Sequence, residues 1–281
     1  GASGIARKLG IPQLVVGLTI VAMGTSAPEA AVSITAALKK NASIAIGNVV
    51  GSNILNILII LGITAVIVSV AIQKSTFRVE IPYMIVITII LIVMGLSGQC
   101  ISKIEGMILW ALFIVYLVYL FILARNGKEE NETVEKSTWK LILAVIVGVV
   151  IVVWGSNITV DSATAIATAF GISERFIGLT IVALGTSLPE LVTSVTAARK
   201  GNADIAIGNI VGSNIFNILF ILGTTAVITP VTYESNFIID GIIAIAASIL
   251  LWISVAKKME LRRPWGIVML VCYGAYFVYL L

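Results

Sequence analysis

The chain has 281 residues, of which 59% are hydrophobic and 11% charged, with a net charge of +4 and a mean hydropathy of +1.11. A soluble domain carries about 25% charged and about 45–50% apolar residues, so the polar surface here is too small to coat a water-soluble globule. A cytosolic enzyme, a nucleic-acid binder and a disordered chain are excluded, and a polytopic membrane protein remains, with room for roughly nine or ten helices at about 20 residues per span.

In chain order, the apolar runs predict spans at 11–38, 43–70, 79–97 and 104–123. The only long hydrophilic stretch, Arg125–Lys140, follows, and then spans at 140–169, 175–198, 203–230, 236–256 and 264–281. Cys100 and Cys272 stand alone in apolar runs and are expected to be free, buried thiols; there is no His, so imidazole cannot serve as ligand or proton relay.

The chain repeats itself. Residues 17–67 and 178–228 align without a gap at an offset of 161, with 38 identities in 51 positions that include Gly, Pro, Glu, Ser and Asn. Two homologous halves are therefore expected, 1–124 and 140–281, joined by a linker at 125–139. The second half opens with the 140–169 span, whereas in the first half only the stub Gly1–Gly10 aligns with the end of that span. One further helix is thus expected before Gly1 in the native product.

Basic residues set the orientation. With the C-terminus outside and the spans alternating, 14 Lys and Arg fall inside and four outside (Lys39, Lys40, Lys103 and Arg175). The 125–140 loop is then cytoplasmic and the C-terminus extracellular, in the cell membrane. The two repeats run in opposite directions, which five spans per half would produce. The expected fold is all-α and integral to the membrane, with two inverted five-helix repeats and a binding site at the midplane between them.

Glu29 and Glu190 are equivalent under the repeat and lie deep in apolar spans with no Lys or Arg in their interiors. A charge at the bilayer centre costs about 2.5–3.5 kcal/mol on insertion scales, so two unpaired carboxylates at one depth imply a cation supplied from outside. The other acids lie near span ends or in loops, Glu80 and Asp240 among them, and are read as solvated or at headgroup level; Asp161 alone sits inside another span. Each of the two deep acids ends a Gly-Thr-Ser-x-Pro-Glu motif, Gly24–Glu29 and Gly185–Glu190. Proline removes a backbone donor and clashes with the carbonyl of residue i−4, so a helix break is expected there, lined by Thr25, Ser26, Thr186 and Ser187. Such irregular backbone is tolerated at membrane depth only where protein buries it or it lines a cavity.

The next span of each half carries Gly-Asn-x-x-Gly-Ser-Asn-x-x-Asn. Asn48, Ser52 and Asn56 share one helix face, as do Asn209, Ser213 and Asn217, while Asn53 and Asn214 point off that stripe. Interhelical packing is the competing reading, above all for Asn53 and Asn214. Carboxylate, hydroxyl, amide and carbonyl oxygens are the donors that Ca²⁺ and Na⁺ take, not those of Zn²⁺ or Cu.

The paired motifs GTSAPE/GNVVGSNILN and GTSLPE/GNIVGSNIFN resemble the α-repeats of the cation/Ca²⁺ exchanger superfamily, and most of all the prokaryotic sodium/calcium exchangers. The resemblance implies a monomeric Na⁺/Ca²⁺ antiporter of ten helices, neither an enzyme nor a holder of resident cofactors, with cation sites between its halves. It implies that Glu29 and Glu190 bridge Ca²⁺ and Na⁺ and that Thr25 and Thr186 give backbone carbonyls to Ca²⁺. It further implies that Ser26, Ser52, Ser187 and Ser213 line Na⁺ sites with the carbonyls of Ala22 and Ala183, and that Asn56 and Asn217 complete the centre. Many relatives have Asp where this chain has Asn217, so the resemblance does not suggest K⁺ dependence. A Ca²⁺/H⁺ antiporter of the same superfamily is the second reading, and an intramembrane enzyme using Glu29 and Glu190 as an acid/base pair the third.

Overall fold

A computed structural model describes residues 11–38, 42–126, 177–234 and 236–280, together with scattered positions between 139 and 171. Much of the expected 140–169 span, Asp161 included, the Gly1–Gly10 stub and most of the linker lie outside the described residues. The other eight expected spans are all present, each within a few residues of its expected bounds.

The first is a bent pair, α1 (Gln13–Thr25) and α2 (Ala27–Leu38), followed by α3 (Ile44–Ile67), α4 (Thr76–Gly98) and α5 (Lys103–Asn126). The second half repeats the order: the bent pair α6 (Leu179–Thr186) and α7 (Leu188–Arg199), then α8 (Ala203–Ile228), α9 (Phe237–Ala256) and α10 (Arg263–Leu280). With no water in the hydrocarbon to bind exposed amides, a spanning segment must satisfy its backbone internally, which is why these Ile- and Val-rich runs are helical despite their β-branched side chains.

Packing follows a two-fold pseudosymmetry. Helix α8 packs on α1 and α7, and α3 packs on α6 and α2. The end of α3 meets α10, the end of α8 meets α5, and α4 meets α9. Helices α3 and α8 are enclosed almost throughout, whereas α5 and α10 are peripheral and expose rows of Ile, Val and Phe, the surface a bilayer would cover. Close contacts between the two halves fall at repeat-equivalent glycines: a Cβ on Gly51 would sit 2.8 Å from the Leu179 carbonyl oxygen, and one on Gly212 2.7 Å from that of Leu18. Small residues are how helices approach closely where lipid gives no hydrophobic drive.

Two short antiparallel ribbons, absent from the all-helical expectation, settle the relative direction of the repeats. Strand β1 (Val70–Ala71), at the end of α3, pairs with β4 (Glu260–Leu261), between α9 and α10. Strand β2 (Cys100–Ile101), between α4 and α5, pairs with β3 (Val231–Thr232), at the end of α8. Helix α4 separates β1 from β2 by a full crossing, so α3 ends on one side of the membrane and α8 on the other. The repeats are inverted, and this geometry shows it without reference to charge.

Two expectations are corrected. Glu80 and Asp240 are not solvated: both are fully buried. The reason is that α4 begins at Thr76, three residues before the expected start, and tyrosines from the neighbouring helices cap both acids, Tyr119 on Glu80 and Tyr276 on Asp240. The cysteines are free but not buried. Cys100 is half-buried at a ribbon, and Cys272 is exposed on the outer face of α10.

Candidate cation site between the repeats

The break between α1 and α2 bends the span by 48°, and that between α6 and α7 by 49°. The joints are Ser26 (φ −82°, ψ 10°) and Ser187 (φ −86°, ψ 2°). Pro28 and Pro189 lie in the first turn of the following helix, where a missing N–H is tolerated, so each proline stops one helix and starts the next. Glu29 and Glu190 thereby stand in the first turns of α2 and α7, whose helix dipoles favour a negative group.

The two halves interlock at these joints. The Ser26 hydroxyl donates to Glu190 Oε1 at 2.8 Å, and the Ser187 hydroxyl donates to Glu29 Oε1 at 3.0 Å. Each carboxylate is therefore held by the serine of the opposite motif. The Ser213 hydroxyl adds a third contact, 3.2 Å from Glu190 Oε1.

Asn48 and Asn209 act as clasps. Asn48 Nδ2 donates to the Glu29 carbonyl (3.2 Å) and to Ser33 Oγ (3.0 Å), while its Oδ1 accepts from the Thr186 hydroxyl (3.1 Å). Asn209 repeats the pattern with the Glu190 carbonyl (3.4 Å), Ser194 Oγ (2.9 Å) and the Thr25 hydroxyl (3.0 Å). The packing reading holds for Asn53 and Asn214. Each gives its amide N–H to the other's backbone carbonyl (3.2 and 3.1 Å), and each presents its Oδ1 to a stripe residue. Asn56 Nδ2 donates to Asn214 Oδ1 at 2.8 Å, and Asn217 Nδ2 donates to Asn53 Oδ1 at 3.0 Å.

These contacts use the donors and leave oxygens over. Glu29 Oε2, Glu190 Oε2, Ser52 Oγ, Asn56 Oδ1 and Asn217 Oδ1 are buried and have no hydrogen-bond partner. Buried polar groups are nearly always paired, and every one of these atoms is an oxygen. All twelve residues expected at the site lie on α1, α2, α3, α6, α7 and α8 or at the joints Ser26 and Ser187, and all are buried, Ala22 and Ala183 included. The Ala22 carbonyl accepts from the Ser26 amide (2.9 Å) and the Ala183 carbonyl from the Ser187 amide (3.0 Å), at the C-terminal ends of the first half-helices. Among the described residues no Lys or Arg forms an ion pair with either glutamate; the one ion pair among them joins Arg262 to Glu260 at the surface.

Two features were not foreseen. Ser33 and Ser194 hold the asparagine clasps; the available signal was that both are identical under the repeat and lie four residues, one helical turn, after Glu29 and Glu190. Wider π-helical turns begin at Asn56 and Asn217, running through Leu61 and Leu222. Such turns recur at functional sites and have no signature in a run of Ile and Leu.

Known proteins resemble the chain in sequence and fold. The family model described as sodium/calcium exchanger protein matches residues 1–122 and 140–281. The chain belongs to this family. The family chain is 36% identical over 289 residues to the "Putative antiporter CaxA" of Alkalimonas amylolytica, covering 98% of this chain and 90% of that one. It is 33% identical to the "Sodium/calcium exchanger MaX1" of Methanosarcina acetivorans, covering 99% and 92%. A solved structure of the sodium-calcium exchanger NCX_Mj, soaked with Na⁺ and Ca²⁺, matches at a TM-score of 0.83 and 33% identity, over 99% of this chain and 90% of that one.

Proposed function

We propose that the chain is a secondary antiporter that exchanges Na⁺ for Ca²⁺ by alternating access, with the cations held between the two breaks. The observation that carries this is the set of five buried, unpartnered oxygens contributed by Glu29, Glu190, Ser52, Asn56 and Asn217. They are hard donors drawn from both halves, and that set suits Ca²⁺ and Na⁺. Two carboxylates match the charge of one Ca²⁺.

On this reading Glu29 and Glu190 bridge the central and flanking ions. The carbonyls of Thr25 and Thr186 complete the Ca²⁺ shell with Asn56 and Asn217. Ser26 and Ser213 on one side, and Ser187 and Ser52 on the other, take Na⁺ with the carbonyls of Ala22 and Ala183. Half-helix C-terminal ends at the midplane are suited to cations, because their last carbonyls carry the negative end of the dipole. The asparagine clasps do not meet the ions; they keep the two carboxylates facing each other. Both halves of the site come from one chain, so a monomer suffices. The charge split places the 125–140 loop in the cytoplasm and the C-terminus outside the cell.

Proton coupling is the rival, since two buried carboxylates without basic partners can carry protons. A proton on each glutamate is itself a donor that needs an acceptor, such as the Asn56 or Asn217 oxygen, so the free oxygens alone do not separate the two cations. Ca²⁺ flux into proteoliposomes decides. Uptake driven by an outward Na⁺ gradient, and indifferent to a pH gradient with Na⁺ absent, is expected. Uptake driven by the pH gradient alone would replace this reading with Ca²⁺/H⁺ antiport.

A further inference from the structure

We propose that a pocket between α4 and α5, away from the cation site, binds an ammonium group, and that a lipid carrying a primary-amine headgroup supplies it. The pocket holds about 200 Å³ and is lined by Val79, Glu80, Tyr83, Val115, Tyr116 and Tyr119. Its rim faces outward: Val79 is 41% and Val115 60% exposed, on the apolar periphery of the fold. A ligand entering here comes from the bilayer side.

The pocket interior carries an unused carboxyl group. Glu80 is fully buried; its Oε1 accepts from the Tyr119 hydroxyl, and its Oε2 has no partner. No basic side chain pairs with it among the described residues. The hydroxyl of Tyr116, itself buried, is also unpartnered. Around these two atoms the rings form a wall. Tyr83 and Tyr116 stack at 5.7 Å, and Tyr116 and Tyr119 at 6.5 Å. Aromatic faces beside a carboxylate recognise ammonium groups, the ring quadrupole adding to the charge attraction.

Other occupants fit less well. A metal ion needs several hard ligands, and the pocket lining offers one carboxylate and tyrosine hydroxyls. A proton on Glu80 supplies one donor, whereas a primary ammonium has three and can serve Glu80 Oε2 and Tyr116 together. The second half sharpens the point. At an offset of 160, Glu80 corresponds to Asp240, Tyr116 to Tyr276 and Tyr119 to Tyr279, so the buried acid beside tyrosines is repeated. There Tyr276 donates directly to Asp240 at 3.1 Å, and Ile243 stands where Tyr83 would. The acid is common to both halves, but the aromatic wall with spare polar atoms belongs to the first.

Delipidated full-length protein, titrated separately with short-chain phosphatidylethanolamine, phosphatidylglycerol and free ethanolamine, tests this, with bound molecules counted by native mass spectrometry. Phosphatidylethanolamine should bind in preference to phosphatidylglycerol. Glu80→Gln should weaken it by at least about tenfold, as expected for loss of a charge-assisted hydrogen bond, and leave phosphatidylglycerol binding unchanged. Tyr116→Phe removes only an unpartnered hydroxyl, so it should fold normally, and it should weaken the same binding by a smaller factor. Saturable binding of ethanolamine at equal affinity would overturn the lipid source while keeping the ammonium site. Equal phosphatidylethanolamine affinity in the wild type and both variants, or no preference over phosphatidylglycerol, would overturn the site itself.

Discussion

At the scale of single residues, the site separates atoms that hold the protein together from atoms left for a ligand. Each glutamate commits one oxygen to a serine across the pseudo-dyad and keeps the other free. Glu29→Gln or Glu190→Gln therefore preserves shape and the serine contact but removes half the charge. A divalent ion is then half-neutralised in a low-dielectric site, where Coulomb energies are several-fold those in water. Ca²⁺ uptake should fall by at least about a hundredfold, the factor that corresponds to roughly 2.5–3 kcal/mol for one uncompensated charge. Glu260→Gln, which breaks only the surface pair with Arg262, should leave uptake unchanged. Near-normal uptake by either site variant in the same vesicles would refute the assignment. These residues were legible because the repeat isolates them: a polar residue that recurs at the same depth in both halves is no accident of composition. Glu80 and Asp240 also recur, but at an offset one residue different, and their burial depends on tyrosines contributed by other helices. No local pattern around either acid states that.

At the scale of elements, sequence and structure agree on where the spans are and differ on how they are shaped. Hydropathy gives length, and Pro28 and Pro189 mark the breaks, so the broken helices were legible. The bend angles and the π-helical turns were not, because they depend on which helix is packed alongside. The glycines show the dependence. Gly51 rests against the backbone of α6, and Gly212 rests against that of α1, and both contacts cross between the repeats. A methyl at either position meets backbone rather than a movable side chain, so the helices must separate. Gly51→Ala and Gly212→Ala should each cost about 1–3 kcal/mol, the range for overpacking. The readout is a lower unfolding midpoint in detergent for each single variant. Gly98→Ala is the control, because nothing lies near its would-be Cβ. An unchanged midpoint for Gly51→Ala and Gly212→Ala would mean that the inter-repeat crossing tolerates sliding and is not the rigid seam described.

At the scale of the whole molecule, inversion of the repeats gives the proposed site equivalent surroundings on both sides of the membrane. The ribbons place the 70–74 and 257–261 segments on one side and the 100–103 and 231–234 segments on the other. With Cys100 and Cys272 replaced by Ser, cysteines at Lys74 and Lys257 should react with an impermeant maleimide only in inside-out vesicles, and cysteines at Lys103 and Glu234 only in right-side-out ones. Reaction of Lys74→Cys and Lys103→Cys from the same side would contradict the fold. The same architecture fixes how the two cations must relate. On the proposed function the free oxygens serve one site with two carboxylates, so Ca²⁺ would neutralise it fully and adding a complete Na⁺ load would leave a net positive charge in a dry interior. Bound Ca²⁺ and a full set of Na⁺ are then mutually exclusive, and each displaces the other. On the same reading the empty site is no better a passenger, because its bare carboxylates would carry an insertion-scale cost of about 2.5–3.5 kcal/mol per charge, which would hold back the unloaded transition and make the cycle an exchange. Ca²⁺ binding measured at fixed pH should therefore weaken steadily as Na⁺ rises, with an unchanged number of Ca²⁺ sites. An apparent affinity indifferent to Na⁺ would break the link between site charge and exchange, and weakening by protons alone would assign the coupling to H⁺.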